Sequence, residues 1–317
     1  RVTDRRAVRN IEQQHARATT ANGAIAAGFA ALRSYELSRL IDDAKNARRY
    51  FDRARQMDPN SPWPLYGWAV ASLPMVKDPD DPGRFGFAGD NAFLTDLGLD
   101  MTSRARRALE KAVALDPTHA DAARLLARLA TETRDADAAN QATTALKDLA
   151  DKNPLDPKSR IALATAADFS GDLETAAAAA KAAAATATGS EKSAAHHLAA
   201  RALLRMPGRE EEGAAEYFAG LRDLTREQAQ KYYDELRGIA TPGEVVQLET
   251  LPLVRAQSWI QTFWEMHAAL SAVSVPHRLA SHFKRLPHAE TYFRRDQKFG
   301  AMGRNALLLE RPQSPFD

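Results

Sequence analysis

Four aspartates, Asp78, Asp80, Asp81 and Asp90, crowd one stretch of the chain and offer hard oxygen ligands of the kind calcium takes. Their order lacks the Asp-x-Asp-x-Asp-Gly-x5-Glu pattern, and Pro79 and Pro82 stiffen the backbone between them, so no metal site is expected there. The histidines point the same way. His196 and His197 are neighbours that a helix aims about 100° apart, and His277, His282 and His288 are spaced so that no helix face aligns them. A zinc site would want His-Glu-x2-His, which is absent. Glu210, Glu211 and Glu212 are carboxylates enough for acid–base work, but they open a helix, where the dipole favours them as a solvated start. With no cysteine, thiolate nucleophiles, thiolate metal sites and disulfides all go together. Phosphate loops, Gly-x-Gly-x2-Gly and Gly-x-Ser-x-Gly are also missing. The residues point to no reaction and no cofactor.

What remains is surface recognition. Trp63 and Tyr66 stand close together in one segment, and Phe85, Phe87 and Phe93 punctuate the aspartate-rich one as anchors for a partner or for the body of the protein. A run of Lys284, Arg285, Arg294, Arg295, Lys298, Arg304 and Arg311 could meet an acidic partner or anionic lipid heads, against the plainer reading of a solvated face. Over the 317 residues the formal charge is only +2, from 43 Lys+Arg against 41 Asp+Glu, which argues against nucleic-acid binding through a large basic surface. No run of about 18 apolar residues is present, so no membrane span is expected.

The elements that must position these residues are helices. The pattern Ala-x3-(aromatic or Leu)-x2-(Ala or Leu)-x4-Pro recurs as Ala47, Phe51, Ala54, Pro59; as Ala105, Leu109, Ala112, Pro117; and as Ala142, Leu146, Leu149, Pro154. Offsets of four and three keep the first residues of each set on one helix face, and the proline closes the helix. Residues 4–56 read as helix almost throughout, softened only at Gly23 and Gly28. A second helix starts at Trp63. Residues 74–103, rich in Pro, Gly and Asp, read as a long irregular insert. Helix resumes at Arg104 and returns over 121–132, 138–152, 158–169, 173–187, 191–206, 210–221 and 226–237. Small residues at repeated crossing points predict an all-α stack of helical hairpins, with the insert at the turn of one hairpin.

These units resemble tetratricopeptide repeats over residues 40–221. Gly171-Asp172-Leu173-Glu174-Thr175-Ala176 matches the family's turn and second-helix opening, and Asp58-Pro59-Asn60 and Leu115-Asp116-Pro117 match its closing turn. Its large–small pairs fall on Trp68 and Ala69, Leu126 and Ala127, and Leu163 and Ala164. The resemblance implies a right-handed helical-hairpin solenoid with a concave groove for peptides or proteins. In that register the groove-facing positions are Trp63, Tyr66 and Val70 in one unit, Asp121, Arg124 and Arg128 in the next, and Lys158, Ile161 and Thr165 in the third. An aromatic end followed by alternating charge would suit an extended peptide or a partner helix. The competing reading is packing between repeats together with solvated charges.

From Gly238 the composition shifts to more aromatic, proline and basic residues. Arg255 ahead of Phe263-Trp264, then Arg285, Ala289 and Phe293, is similar to the start of the GWxTD domain, a bacterial module found behind such repeats. The eponymous Gly-Trp-x-Thr-Asp string is absent, and Phe299-Gly300-Ala301-Met302-Gly303 and Ser314-Pro315-Phe316-Asp317 occupy that region. The expected organisation is a repeat domain over 1–237 and a GWxTD-like helical lead-in over 238–317. The expected function is a non-enzymatic scaffold or subunit of a bacterial envelope assembly, with protein partners docking through the groove and the 74–103 loop. The alternative is an enzyme or processing factor whose chemistry lies in the tail or beyond residue 317. The first residue, Arg1, fits removal of a leader and so a periplasmic or envelope location, with a cytoplasmic one still open.

Overall fold

A computed structural model of the chain describes residues 4–73, 101–152, 156–222, 224–236 and 238–292, and among them every regular element is an α-helix. The all-α class follows from the 3.6-residue spacing of the apolar positions, which no strand could present on one face. The helices fall into two compact units.

Unit one holds α1 (Arg5–His15), α2 (Ala21–Ser38), α3 (Ile41–Met57), α4 (Pro62–Ser72), α5 (Met101–Leu115), α6 (Ala120–Thr133) and α7 (Ala136–Lys152). Each of the first four packs against the next, α4 packs on α5, and α5 on α6 and α6 on α7; α2 also reaches α4, and α5 reaches α7. The repeated pattern is the reason. Ala47, Phe51 and Ala54 are fully buried on α3, as are Ala105, Leu109 and Ala112 on α5 and Ala142 and Leu146 on α7. Alanine at these crossing points lets backbones approach closely, so dispersion across the interface replaces the bulk of larger side chains. Aspartates shape the turns: Asp58 Oδ1 accepts the Asn60 amide at 3.1 Å and Asp116 Oδ1 the Thr118 amide at 2.9 Å.

The near-continuous helix expected over 4–56 is instead three helices. Neither glycine marks a break, for both lie inside α2. The chain turns where Thr20 Oγ1 caps the Gly23 amide at 3.3 Å, and again where Arg39 takes a left-handed φ of 57°. There Ser38 Oγ accepts the Leu40 amide at 3.1 Å and donates to Asp43 at 2.8 Å, offering the backbone local partners in place of helix bonds. Gly28 serves packing instead of softening the helix. A Cβ there would stand 2.7 Å from the Phe51 ring, and one on Gly67 of α4 would stand 2.2 Å from it. The expected start at Arg104 moves forward to Met101, and the rest of the insert, with Asp78, Asp80, Asp81, Phe85, Phe87, Asp90 and Phe93, lies outside the described residues.

Unit two holds α8 (Pro157–Ser170), α9 (Leu173–Thr186), α10 (Gly189–Arg205), α11 (Glu210–Gly220), α12 (Arg226–Leu236), α13 (Pro242–Thr250), α14 (Leu253–Leu270) and α15 (Val275–Tyr292). The first four pack in sequence, with α8 also touching α10. At the α8–α9 turn Gly171 adopts φ +87° as a C-cap, and Asp172 Oδ1 accepts the Thr175 amide at 3.2 Å to open α9. Nothing surrounds a Cβ at Gly171. Gly171→Ala should therefore cost only the left-handed backbone, about 1 kcal/mol in urea unfolding.

The composition shift at Gly238 does not divide the compact bodies. Helix α15 packs on α10, α11 and α14, and α12 on α14. Trp264, Phe263 and Phe283 from the tail enclose Tyr217 of α11 and Tyr232 of α12 in one buried cluster. The contacts divide the chain after Lys152 instead. The tail adds its large rings to those of α11 and α12.

A candidate docking face

In unit one, α2, α4 and α6 bring an aromatic row and a charged stretch side by side. Pro62 and Pro64 sit in the first turn of α4, where a missing amide costs nothing, and so place Trp63 and Tyr66 at that end of the helix. The Phe29 ring lies 6.2 Å from Trp63 and 6.4 Å from Tyr66, whose own rings are 6.3 Å apart. The row continues to His119, 4.3 Å from Trp63 and 4.9 Å from Tyr66. Next to it opens a shallow cleft of about 380 Å³, lined by Tyr66, Val70, Leu73, Asp121, Arg124, Leu125 and Arg128. On the other side Phe29 lines a more apolar hollow with Val8, Ile11 and Arg33. Trp63 remains 46% exposed despite its three ring neighbours.

The electrostatics of this face are largely settled within the chain. Arg124 pairs with Asp121, and Arg128 lies 3.7 Å from Glu132, so the surface carries alternating charge and not a bare cationic patch. Burial raises the Tyr66 phenol above its ordinary range, partly offset by Arg124, so the ring stays neutral.

The sequence reading passed over His119. Its ring is buried and caps α6, Nδ1 accepting the Ala122 amide at 3.3 Å, which leaves Nε2 to carry the proton of the neutral ring. Burial lowers its pKa, with Asp116 pulling the other way. Nε2 is buried with no hydrogen-bond partner among the described residues. The available signal was its place directly after the Asp-Pro-Thr turn, the slot where a capping side chain belongs.

The structure thus brings Tyr66, Val70, Asp121, Arg124 and Arg128 to one cleft, with Trp63 in ring contact with Tyr66. Lys158, Ile161 and Thr165 belong to α8 of unit two. Lys158 lies 3.6 Å from Glu191, Ile161 packs against Ala183, Ala184 and Ala195, and Thr165 bonds back to the Ile161 carbonyl at 2.7 Å.

Unit two carries a separate polar cluster inside its core. Glu235 of α12 lies 3.0 Å from His197 Nε2 and 3.3 Å from Arg201. Asp168 of α8 takes Arg205 at 2.6 Å and Arg201 at 3.6 Å. Burial works against the Glu235 carboxylate, yet His197, Arg201 and His282 together hold its pKa below the usual range. Trp264 Nε1–H donates to Tyr217 Oη at 3.1 Å, and burial pushes that phenol well above its ordinary value. These groups satisfy one another, which makes the cluster a cross-link among α8, α10 and α12. His196, the neighbour of His197, meets Glu216 at 2.6 Å. At the acidic opening of α11, Glu212 meets Lys181 and Arg209 and Glu210 meets Lys284 at 3.4 Å, while Glu211 is exposed. Of the basic run only Lys284 and Arg285 are described, and both are exposed.

Among the described residues no group of three or more His, Asp or Glu could hold a metal ion, and no helix is long and apolar enough to cross a membrane. No protein-family model matches the chain, and no curated protein matches it in sequence.

Proposed function

We propose that this chain is a non-enzymatic docking scaffold of the tetratricopeptide type. In this reading an extended peptide segment of a protein partner lies along α2, α4 and α6 of unit one. The observation that carries it is the half-exposed Trp63 indole beside Tyr66, which lines a cleft together with acidic and basic side chains. An indole costs little conformational entropy to immobilise and offers a large apolar face, the combination that dominates binding energies. The peptide would seat an apolar side chain against Trp63 and Tyr66 and run mixed charges past the Asp121–Arg124 and Arg128–Glu132 pairs. We further propose that α13–α15 correspond to the lead-in of a GWxTD-like domain and that the scaffold serves a bacterial envelope assembly.

A peptide library selected on the full chain tests this. Against the selected peptides Trp63→Ala should lose at least about 2 kcal/mol, roughly thirtyfold in Kd. Arg128→Glu should shift charge preference toward basic sequences. Both positions are substantially exposed, so circular dichroism should show unchanged helix content. Peptides that bind both variants as tightly as the parent would sink the proposal.

A further inference from the structure

Large apolar side chains are unevenly exposed. Of the twelve that stand out among the described residues, six lie on α13, α14 and the turn after it: Val246 at 61%, Leu253 at 41%, Val254 at 88%, Met266 at 45%, Leu270 at 78% and Val273 at 38%. Single exposed apolar residues are ordinary, but a cluster on one element marks a contact surface. Helix α14 buries Ala256, Ile260, Phe263, Trp264 and Ala268 on its inner side. Its outer side is unusual for a solvated helix because no ionisable residue occurs between Arg255 and Glu265. The exposed residues of that interval are Gln257, Ser258, Gln261 and Thr262.

The order of residues on this outer side reads the same in both directions. Val254, Ser258, Thr262 and Met266 form a single i, i+4 ridge: large, small, small, large. Arg255 and Glu265 flank it at equal distance from its centre, with opposite charge. Among the described residues neither has an ionic partner, and Glu265 only accepts from Gln261 at 3.1 Å. Two such helices laid antiparallel about a two-fold axis would set Val254 of one copy against Met266 of the other and Ser258 against Thr262. Arg255 would meet Glu265, and the symmetry makes every contact twice. The small residues at the centre permit close approach, and Leu270 would cover the α13–α14 junction of the second copy. We propose that this face is the contact between two copies of the chain, paired antiparallel through α14. A lipid surface would not use an acidic side chain matched to a basic one ten residues away.

The face is one helix long, about 27 Å, so the dimer belongs with small, reversible interfaces. Sedimentation equilibrium of the full chain over a wide concentration range should show the 34.7 kDa monomer giving way to twice that mass. Thr262→Arg forces a long charged side chain against Ser258 of the other copy, twice over, and should abolish association; its side chain is exposed, so the monomer should stay folded. Arg255→Glu should weaken the dimer about tenfold, and adding Glu265→Arg should restore it. A monomer at every concentration would overturn the proposal. So would a dimer indifferent to Thr262→Arg, or a double charge reversal that fails to recover what the single one lost.

Discussion

Gly67→Ala should destabilise unit one by about 3 kcal/mol or more, a large effect for one methyl group. The added Cβ would fall 2.2 Å from the Phe51 ring, and the ring cannot retreat toward α2, where a Cβ on Gly28 would itself stand 2.7 Å from it. Phe51 is fully buried and meets Phe29 edge-on at 5.1 Å, so moving it would disturb α2, α3 and α4 together. Removing the ring by Phe51→Ala should cost a similar 3–5 kcal/mol through the cavity it leaves. The double variant Gly67→Ala with Phe51→Leu should recover part of the loss, because the smaller side chain yields room where the methyl intrudes. Urea unfolding of these variants and of Phe51→Leu alone tests this. A neutral Gly67→Ala, or a double variant no better than the sum of the singles, would show that the ring is not wedged between these glycines.

Acid should loosen unit two before it affects the carboxylates. His282 is 1% exposed, and its pKa falls from 6.5 to about 4. Burial is the main cause, Glu235 opposes it, and Arg278, Arg201 and Arg285 add to it. The groups facing it are Glu235 from α12, Arg201 from α10, the Trp264 ring 5.3 Å away on α14, and the two arginines of its own helix. The sign follows from which state binds the proton. Above 6.5 both folded and unfolded rings are neutral and nothing changes. Between 6.5 and about 4 only the unfolded ring takes the proton, so stability falls as pH falls. Below about 4 both are protonated and the loss levels off. The full loss is about 3 kcal/mol. Glu235, whose folded pKa is depressed, adds stability above its unfolded value and loses it only at lower pH. The protection factors of α10 and α15 amides, taken against the intrinsic exchange rate at each pH, should therefore fall between neutral pH and pH 5, and His282→Phe should flatten that dependence. Equal protection at both pH values in the parent chain would refute it. So would a His282→Phe variant that keeps the slope.

Much of this protein was readable before any fold. The all-α class follows from apolar residues at three- and four-residue offsets, because that spacing alone brings Ala47, Phe51 and Ala54 onto one buried face. Helix ends at Asp58-Pro59, Asp116-Pro117 and Gly171-Asp172 were legible because proline, glycine and aspartate act through the backbone of their immediate neighbours. The same register named Tyr66, Val70, Arg124 and Arg128, and these do meet at one cleft.

What escaped the reading depends on contacts between residues far apart in the chain. The breaks at Thr20 and Arg39 lack proline or glycine, and an arginine in a left-handed turn leaves no signal in its residue type. Gly28 looked like a weak point, yet its role is set by a ring from the next helix. The composition change at Gly238 suggested a boundary, but Trp264 and Phe283 close over Tyr217 and make one body of both sides. His119 and the Glu235–His197–Arg201 cluster were unmarked because burial, and not residue type, gives a histidine or a carboxylate its partners. Local backbone chemistry determined which segments are helices. Only the tertiary structure decided which faces meet, because packing depends on shape and distance that linear order does not carry.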